Sequence, residues 1–344
     1  MLSTKHQIVV VGAGISGMSC AYRLQTELPN VQVTVMSDDF TPNLTSDGSG
    51  GLWEPYAAFG TDPDKIKIWS DITYEYLEKL ALSSDSLKAG VSCVGAHYLS
   101  KDPLLEIPCI MRHTKHVRRM TKEQARRMHP AAIDGYSYST FTCEPKIYLP
   151  WITEKLKKAG GSVVKRRVRE LTKLCEEFDL VVNCTGLGAE ELAGDASLVP
   201  VRGQVIKVKG VNVVSYKSWL LNGDSFWVYI IPGINTTTLG GTYEYGVGDN
   251  KVAEGERKRI MDMCCWLEPA LKNCTVEKDW VGLRPARKSG IRLEVDSTYH
   301  STVKVIHNYG HDGSGVSLHW GCAAEVVAKA TESLHIPYIL ASKL

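Results

Sequence analysis

Three closely spaced glycines follow the first apolar run of the chain. Residues 8–17 read Ile-Val-Val-Val-Gly-Ala-Gly-Ile-Ser-Gly, so Gly12, Gly14 and Gly17 have the G-x-G-x-x-G spacing. The first glycine of this pattern permits a tight turn, the second lets the backbone approach a pyrophosphate, and the third lets a helix pack closely on a strand. The amino terminus of that helix offers N–H groups and a partial positive charge to phosphate. The pattern therefore predicts a turn that binds a dinucleotide.

The flanking residues predict a βαβ unit around these glycines. Apolar side chains recur at helical spacing over residues 18–28, and Pro29 follows. Residues 31–35 alternate and are β-branched, which predicts a second strand. Asp38 lies about twenty residues past the glycines, where an acid meets a ribose hydroxyl in dinucleotide sites. The alternative is a glycine-rich turn in an ordinary α/β protein, which would not require this strand, helix and acid together.

Two later segments indicate that the chain returns to this first sheet. Residues 178–186 form an apolar run that ends in small residues, and residues 303–309 lead into the glycine-rich stretch 310–315. Both are typical of buried parallel strands. Because the sheet would be visited early, in the middle and late, we predict interleaved domains.

Periodicity predicts further elements between these segments. Helices are predicted over residues 70–82, 121–128 (with Thr121 as N-cap), 151–159, 257–271 and 316–334. Strands are predicted over residues 91–100, 107–112, 162–169, 203–209 and 226–242. Residues 38–60 are rich in Gly, Ser, Thr, Asp and Pro and predict an extended loop.

Composition argues against several classes of protein. The 344 residues suffice for two domains, and a net charge of +2 gives no electrostatic basis for nucleic-acid binding. No apolar run reaches transmembrane length, so no membrane contact is expected. The ten cysteines lack the spacing of a zinc site, which favours reduced thiols. The last residues, Ser342-Lys343-Leu344, match a peroxisomal address, which predicts the peroxisomal matrix and an import receptor as partner.

Several ordered motifs together resemble the D-amino-acid oxidase family of FAD enzymes, which includes the D-aspartate oxidases. The resemblance spans nearly the whole chain. Its motifs are the glycine pattern, Asp38-Asp39-Phe40-Thr41-Pro42, Gly51-Leu52-Trp53-Glu54-Pro55-Tyr56, Val182-Asn183-Cys184-Thr185-Gly186, Arg202-Gly203-Gln204, Tyr229-Ile230-Ile231-Pro232-Gly233, Gly282-Leu283-Arg284-Pro285, His307-Asn308-Tyr309-Gly310-His311, Gly313, Gly315 and His319-Trp320-Gly321.

The resemblance implies an α/β fold with a Rossmann-like FAD-binding domain interleaved with an α+β substrate domain built on a mixed or antiparallel sheet. The FAD-binding domain would comprise residues 1–55, 145–200 and 280–344, and the substrate-binding domain residues 56–144 and 201–279. The implied reaction is oxidative deamination: a D-amino acid, dioxygen and water give a 2-oxo acid, ammonia and hydrogen peroxide. The flavin carries the redox chemistry. The family also suggests a homodimer.

The resemblance assigns three substrate-binding residues. Arg284 of the Leu-Arg-Pro element would clamp the substrate carboxylate, which suits a guanidinium fork. Tyr229 would hydrogen-bond the same carboxylate, and the Gly313 carbonyl would accept from the amine. Without the motif, Arg284 would be expected in a salt bridge and Tyr229 in the core.

The cofactor contacts implied by the resemblance come from the glycine turn, the loop after the second strand, one later strand and the late glycine-rich loop. They are Gly12, Gly14, Ile15, Ser16, Gly17, Asp38, Thr45, Ser46, Gly51, Leu52, Val168, Asp312, Gly313, Ser314, Gly315, Val316 and Ser317. Two acids depart from the family pattern. Asp39 stands where a basic residue is usual, which would weaken cofactor binding, and Asp312 replaces a small residue. We expect Asp312 to point away from the flavin; amine binding is the alternative.

No catalytic acid or base and no metal site is predicted. His307, His311 and His319 flank a strand-to-glycine turn, whereas H-x-x-x-H binds zinc on a helix, so structural or flavin-side roles are favoured. Hydride transfer from a substrate with a neutral amine moves no proton from carbon, so a dedicated base is not needed.

The substrate signals conflict. Family members that act on acidic substrates carry Arg at the positions of Asn222 and Tyr243, and a buried carboxylate without a partner costs several kcal/mol. Thr242 and residues 200–202 nevertheless look more like the aspartate group. We predict neutral D-amino acids, with D-aspartate oxidase as the alternative.

Three other classes share part of the pattern. They are a nicotinamide-dependent dehydrogenase, an L-amine or sarcosine-type flavin oxidase, and a non-enzymatic dinucleotide-binding regulator. A flavin absorbance spectrum, paired D and L substrates, and an Arg284→Ala variant would distinguish them.

Overall fold

A computed structural model describes residues 5–56, 58–104, 114–219 and 226–336, except for the side chain of Phe226. In chain order its strands are β1 (His6–Val11), β2 (Val31–Ser37), β3 (Val91–Ser100), β4 (Lys115–Arg119), β5 (Asp134–Cys143), β6 (Ser162–Lys165), β7 (Leu180–Asn183), β8 (Leu198–Lys209), β9 (Ser215–Trp219), β10 (Phe226–Ile231), β11 (Thr237–Thr242), β12 (Glu244–Tyr245), β13 (Thr275–Arg287), β14 (Arg292–Asp296) and β15 (Lys304–Tyr309). Its α-helices are α1 (Ile15–Glu27), α2 (Thr45–Gly48), α3 (Pro63–Ala81), α4 (Ser86–Ala89), α5 (Lys122–Met128), α6 (Pro145–Lys158), α7 (Leu171–Glu177), α8 (Ala189–Leu192), α9 (Glu254–Leu267) and α10 (Gly315–Ser333).

The first sheet has six strands in the order β14-β15-β7-β1-β2-β6. The pairs from β15 through β6 are parallel, and only β14 is antiparallel to its neighbour within the described residues. β1 is an inner strand that pairs with β2 on one side and β7 on the other, and its residues Ile8–Val11 are buried. Helices α1 and α10 cover one face, and α3 packs against α10. This is the mixed α/β architecture predicted from the sequence.

The second sheet has nine described strands in the order β12-β8-β11-β10-β9-β3-β5-β4, with β13 also paired to β8. β13 runs antiparallel to β8 along the full length of β8, from Thr275 opposite Lys209 to Arg287 opposite Leu198. Helix α9 packs on β8, β10 and β11 and closes a separate apolar core. The sheet is mixed because β3 and β9 are parallel.

Several helices begin earlier than the periodicity predicts. α3 begins at Pro63 because the Asp62 side chain accepts from the Asp64 N–H and proline suits the first helical position. α6 likewise begins at a proline, Pro145, and includes Pro150. The prediction of Thr121 as N-cap of α5 is confirmed, since its hydroxyl accepts from the Gln124 N–H at 3.2 Å. The strand predicted over residues 107–112 lies outside the described residues.

The strands of the first sheet come from three separated parts of the chain, as interleaving predicts. Both β8 and β13 cross a boundary drawn from the sequence, at 200 and at 280. The boundaries themselves stay a prediction. None of the described helices is long and apolar enough to cross a bilayer.

Asp195 ties the two sheets together. Its carboxylate is buried and accepts from the Arg287 Nε on β13 and from the Tyr309 hydroxyl on β15, each at 2.8 Å. Burial alone would raise the pKa of Asp195, but hydrogen bonds from Ser197, Arg287 and Tyr309 hold it well below its ordinary value. A carboxyl whose pKa is depressed by folding stabilises the fold above its unfolded pKa and loses that contribution as the pH falls.

We expect Asp195→Asn to lower the free energy of unfolding at pH 7 by about 2–3 kcal/mol, because it weakens a buried charged network. The difference from the wild type should shrink below about pH 4, where Asp195 of the unfolded wild-type chain begins to take up a proton while the folded carboxyl stays ionised. Urea unfolding from pH 7 to pH 3.5 measures this. Asp262→Asn, at an exposed ion pair with Lys258 within α9, is the control and should change stability by less than about 0.5 kcal/mol. A difference that stays constant with pH would contradict the prediction.

Candidate active site

A cavity of about 860 Å³ lies where the two sheets meet. One end is formed by the turn between β1 and α1, and the other by strands β8, β10, β11 and β13. The loop through α2 and the turn before α10 complete the walls. The cavity is therefore built from both halves of the fold.

The glycine turn has the geometry that the spacing predicts. Gly12 has φ +106°, and a Cβ there would lie 2.5 Å from the Cys184 carbonyl oxygen. A Cβ on Gly17 would overlap the Gly12 carbonyl oxygen, so this glycine lets α1 begin directly behind the turn. Both positions require glycine for reasons of backbone packing.

Gly14 differs, because the space beside it opens into the cavity. A Cβ there would meet only the Ser46 hydroxyl, at 3.3 Å, within 4 Å among the described atoms. That hydroxyl accepts from the Ile15 N–H at 3.2 Å, and the first turn of α1 has no acidic residue. The helix terminus is thus suited to an anion whose approach a side chain at Gly14 would obstruct.

Most of the cofactor residues predicted from the sequence line the cavity. These are Gly12, Gly14, Ile15, Ser16, Asp38, Thr45, Ser46, Gly51, Leu52, Val168, Asp312, Gly313, Gly315 and Val316. Gly17, Ser314 and Ser317 lie behind the wall instead. Ser314 donates to the Tyr56 carbonyl, and Ser317 accepts from the Glu54 N–H, so these serines position the loop around Glu54 and Tyr56.

The two aspartates after β2 have different surroundings. Asp38 is exposed at the edge of the cavity. Asp39 lies outside the lining, where its Oδ1 accepts from the Phe40 N–H and the Asn43 side chain at 3.2 and 3.3 Å. The Asp39 side chain therefore stabilises its own loop and does not reach the cavity. A basic residue at this position would be expected to reach it.

Arg284 projects from β13 across Gly203 on the neighbouring strand β8. A Cβ on Gly203 would overlap the guanidinium, so the missing side chain makes room for it. The Nη1 of Arg284 donates to the Thr242 carbonyl at 3.3 Å. The rest of the fork faces the cavity, beside the hydroxyls of Tyr56 and Tyr229.

Tyr229 lies flat against β11. A Cβ on Gly240 or Gly241 would overlap or crowd its ring and hydroxyl, so this glycine pair fixes where the ring lies. Burial raises the pKa of Tyr229, and the nearby Arg284 only partly opposes this. The phenol is therefore neutral and can donate a hydrogen bond into the cavity.

Asp312 is held in one direction by a neighbouring tyrosine, and the expectation that it points away from the flavin stays a prediction. It has φ +48°, and its carboxylate lines the cavity, where the Tyr243 hydroxyl donates to Oδ2. The ring of Tyr243 lies 5.7 Å from the Cζ of Arg284. The Oδ1 of Asp312 is buried and has no hydrogen-bond partner among the described residues.

Glu54 is a cavity residue that sequence reasoning missed. It is 4% exposed and accepts hydrogen bonds from the hydroxyls of Tyr138, at 2.8 Å, and Tyr216, at 3.4 Å. Burial raises its pKa to about 7, although both phenols oppose the shift. The sequence feature that could have identified Glu54 is an acidic residue between Trp53 and Pro55, inside a motif whose other side chains are apolar or aromatic.

The three histidines are buried and neutral. Burial lowers the pKa of His311 to about 4 and that of His319 to about 3. Burial also lowers the pKa of His307 to about 4. His319 is hydrogen-bonded to Ser19 at 2.7 Å, and only His311 of the three lines the cavity. Over the described ranges, no three His, Cys, Asp or Glu residues are grouped as a metal site would need.

Buried polar atoms along the cavity fit a large polar ligand. The indole Nε1 of Trp280, the Oδ1 of Asn308 and the Nε2 of His311 are buried without partners in the described part of the chain. All three residues line the cavity. Buried polar atoms without partners are candidates for hydrogen bonds to a bound ligand, and the opening at Gly14 suits an anionic group of that ligand. Asn222 and Ser342-Lys343-Leu344 lie outside the described residues.

Comparisons with known proteins agree with this geometry. The family model described as FAD dependent oxidoreductase matches residues 7–329. The chain is 36% identical to human D-aspartate oxidase over 332 residues, covering 96% of each chain. It is 34% identical over 328 residues to a D-amino acid oxidase of Dugesia ryukyuensis, covering 93% of this chain and 96% of the relative.

Solved structures share the fold at lower identity. Glycine oxidase from Geobacillus kaustophilus superimposes with a TM-score of 0.75 at 18% identity, covering 98% of each chain. Glycine oxidase from Bacillus cereus gives 0.74 at 17% identity, covering 99% of each chain. At this identity the likeness supports the architecture alone.

Proposed function

The chain belongs to the D-amino-acid oxidase family of FAD dependent oxidoreductases, and from that premise we propose that it oxidatively deaminates D-amino acids. One D-amino acid, one dioxygen and one water would give one 2-oxo acid, one ammonia and one hydrogen peroxide. The observation that carries the proposal is the Arg284 guanidinium, which faces the same cavity as the glycine turn. A carboxylate clamp and a phosphate cradle thus share one space.

FAD would fit the cavity, where Gly12, Gly14 and Ser16 would hold the pyrophosphate and Asp38 the ribose. The chemistry that bound FAD supplies is acceptance of a hydride at N5 and transfer of the electrons to dioxygen. The chain's own task is to bind and orient the substrate.

Arg284 and Tyr229 would hold the substrate by its α-carboxylate. The guanidinium fork offers parallel N–H donors that match the two oxygens, and the neutral Tyr229 phenol adds a third donor. Fixing the carboxylate fixes the direction of the Cα–H bond. The Gly313 carbonyl is the proposed acceptor for the amine. As the Cα–H leaves as hydride, the amine lone pair forms the C=N bond, and water later hydrolyses this imine.

We propose that acidic side chains are disfavoured. Tyr243 offers no cation at a position where the acid-selective members of the family carry Arg, and the carboxylates of Glu54 and Asp312 line the same cavity. A second carboxylate on the substrate would meet these like charges. The 36% identity to human D-aspartate oxidase favours the alternative, so D-aspartate must be tested directly.

The test is release of peroxide by the purified flavoprotein across paired D- and L-amino acids. We expect turnover of D-alanine and D-methionine, none of their L enantiomers, and a much lower kcat/KM for D-aspartate. Turnover confined to L or N-methylated substrates would contradict the proposal, and preference for D-aspartate would establish the alternative.

Gly203 provides a test of how Arg284 is positioned. In Gly203→Ala the new methyl group would overlap the guanidinium, and the flexible end of Arg284 would move because the strand cannot. We expect KM for D-alanine to rise about tenfold, because roughly 1.4 kcal/mol of carboxylate binding is lost. The melting temperature should change little. Gly248→Ala is the control, since its Cβ would meet only Pro200, at 3.7 Å. An unchanged KM would contradict the prediction.

We further propose that Ser342-Lys343-Leu344 directs the chain to peroxisomes through the import receptor, and that the chain forms a homodimer. A peroxide-producing reaction suits that compartment. A fluorescent fusion with this tripeptide deleted should stay cytosolic, and sedimentation equilibrium measures the oligomeric state.

A further inference from the structure

The cavity around Arg284 contains two carboxylates that the proposed reaction does not use. Glu54 and Asp312 both line it, and both influence the hydroxyl of Tyr56, as Arg284 does. Tyr56 packs on Gly313, where a Cβ would lie 2.5 Å from its hydroxyl. The two acids and the guanidinium therefore share one cavity, and Tyr243 links Asp312 to the guanidinium, since its hydroxyl donates to Asp312 and its ring lies 5.7 Å from the Arg284 Cζ.

Glu54 has hydrogen bonds but no cation. Both of its oxygens accept from phenols, and no Lys or Arg in the described ranges is among the groups that influence its pKa. Its pKa of about 7 means that it is ionised at pH 8.5. A buried carboxylate without a counter-charge is unfavourable, and a cation brought into the cavity would relieve this.

Asp312 has a free acceptor as well. Tyr243 holds one oxygen, which fixes the carboxylate, while the other is buried without a partner among the described residues. Its backbone lies in the left-handed region, φ +48°, where an aspartate is tolerated but uncommon. The Asp312 carboxylate is thus fixed on one side and keeps one unsatisfied acceptor at the wall of the cavity.

We propose that the substrate is a D-amino acid with a cationic side chain, an amine or a guanidine, and that Glu54 and Asp312 select it. This rests on the proposed function and takes it further: basic side chains are preferred to neutral ones, and neutral to acidic. Arg284 then meets the α-carboxylate, and the cationic side chain offsets one of the two negative charges of Glu54 and Asp312. This selectivity would be opposite to the one that the name of the human relative states.

The experiment compares substrates that match in length and differ in charge. The pairs are D-lysine with D-norleucine and D-arginine with D-citrulline, together with D-glutamate, at pH 8.5 and fixed ionic strength. We expect kcat/KM to be at least about tenfold higher for the charged member of each pair, as a charge-assisted contact provides. D-Glutamate should be the poorest. This measurement on the wild type needs no variant.

Variants assign the effect to the two acids. Glu54→Gln and Asp312→Asn keep the shape, and each should lower the ratio of kcat/KM for D-lysine to that for D-norleucine about tenfold. Glu75→Gln, at an exposed position on α3, should leave the ratio unchanged. Flavin absorbance and melting temperature check that each variant is folded and loaded.

The outcomes separate the two proposals. If none of the D-amino acids, D-alanine and D-lysine included, gives peroxide, the proposed function itself fails. If D-alanine is oxidised but norleucine or glutamate equals or exceeds lysine, only the side-chain proposal is overturned. It is also overturned if either variant lowers kcat/KM by one common factor for every substrate, since that result assigns a structural or amine-binding role.

Discussion

Replacing Arg284 with alanine is expected to lower kcat/KM for D-amino acids by a factor of about 10³, because a buried carboxylate loses a fork of charged donors worth roughly 4 kcal/mol. Arg284→Lys should recover only part of this, since a point charge cannot donate two parallel hydrogen bonds. The guanidinium has a prepared place above Gly203, beside the Thr242 carbonyl and the Tyr229 phenol. The loss should appear mainly in KM if binding alone is affected, and in kcat as well if the Cα–H bond is misdirected.

The measurement is steady-state peroxide release with D-alanine, together with the flavin spectrum to confirm loading. Arg257→Lys is the control, because Arg257 pairs with Asp279 outside the cavity. Its kinetics should match the wild type. An alanine variant at position 284 that retains more than a tenth of the wild-type kcat/KM would rule out Arg284 as the carboxylate clamp.

Gly17→Ala is expected to prevent stable FAD binding. The added methyl group would overlap the Gly12 carbonyl oxygen, and both are backbone sites that cannot move aside independently. α1 would shift from β1, which spreads the phosphate cradle and costs about 3 kcal/mol of folding stability. We expect at least a tenfold rise in the Kd for FAD and a clear drop in melting temperature, measured by absorbance titration and thermal unfolding.

Gly255→Ala in α9 is the matched control, since the structure describes no atom within 4 Å of its Cβ. This change should be neutral or stabilise the helix by up to about 1 kcal/mol. A Gly17→Ala protein with wild-type FAD content and melting temperature would mean that the close approach at the turn is not required.

The parts of the structure that could be predicted from the sequence are those fixed by local chemistry. The close approach of Gly17 to Gly12 and the N-cap at Thr121 depend on residues within one or two turns of chain. Arg284 could be assigned only through its motif, because nothing local shows that β13 lies beside Gly203 on β8.

The side-chain directions that the sequence could not predict have a common physical origin. Whether Glu54 is buried depends on Tyr138 and Tyr216, which lie 84 and 162 residues away along the chain. Asp312 was expected to point away from the flavin, and its direction is fixed by Tyr243, which lies between β11 and β12. Such long-range hydrogen bonds decide where a polar side chain points, and spacing along the sequence does not record them.

The strand order of the first sheet has a consequence for synthesis on the ribosome. β1 and β2 are synthesised first and can pair with each other. The second edge of β1 pairs with β7, which begins at residue 180, and the second edge of β7 pairs with β15, which begins at residue 304. An apolar strand with an unpaired edge is prone to aggregate. The nascent chain must therefore keep this edge shielded until almost the whole protein has been translated, so we expect newly made protein to depend on chaperones during its synthesis.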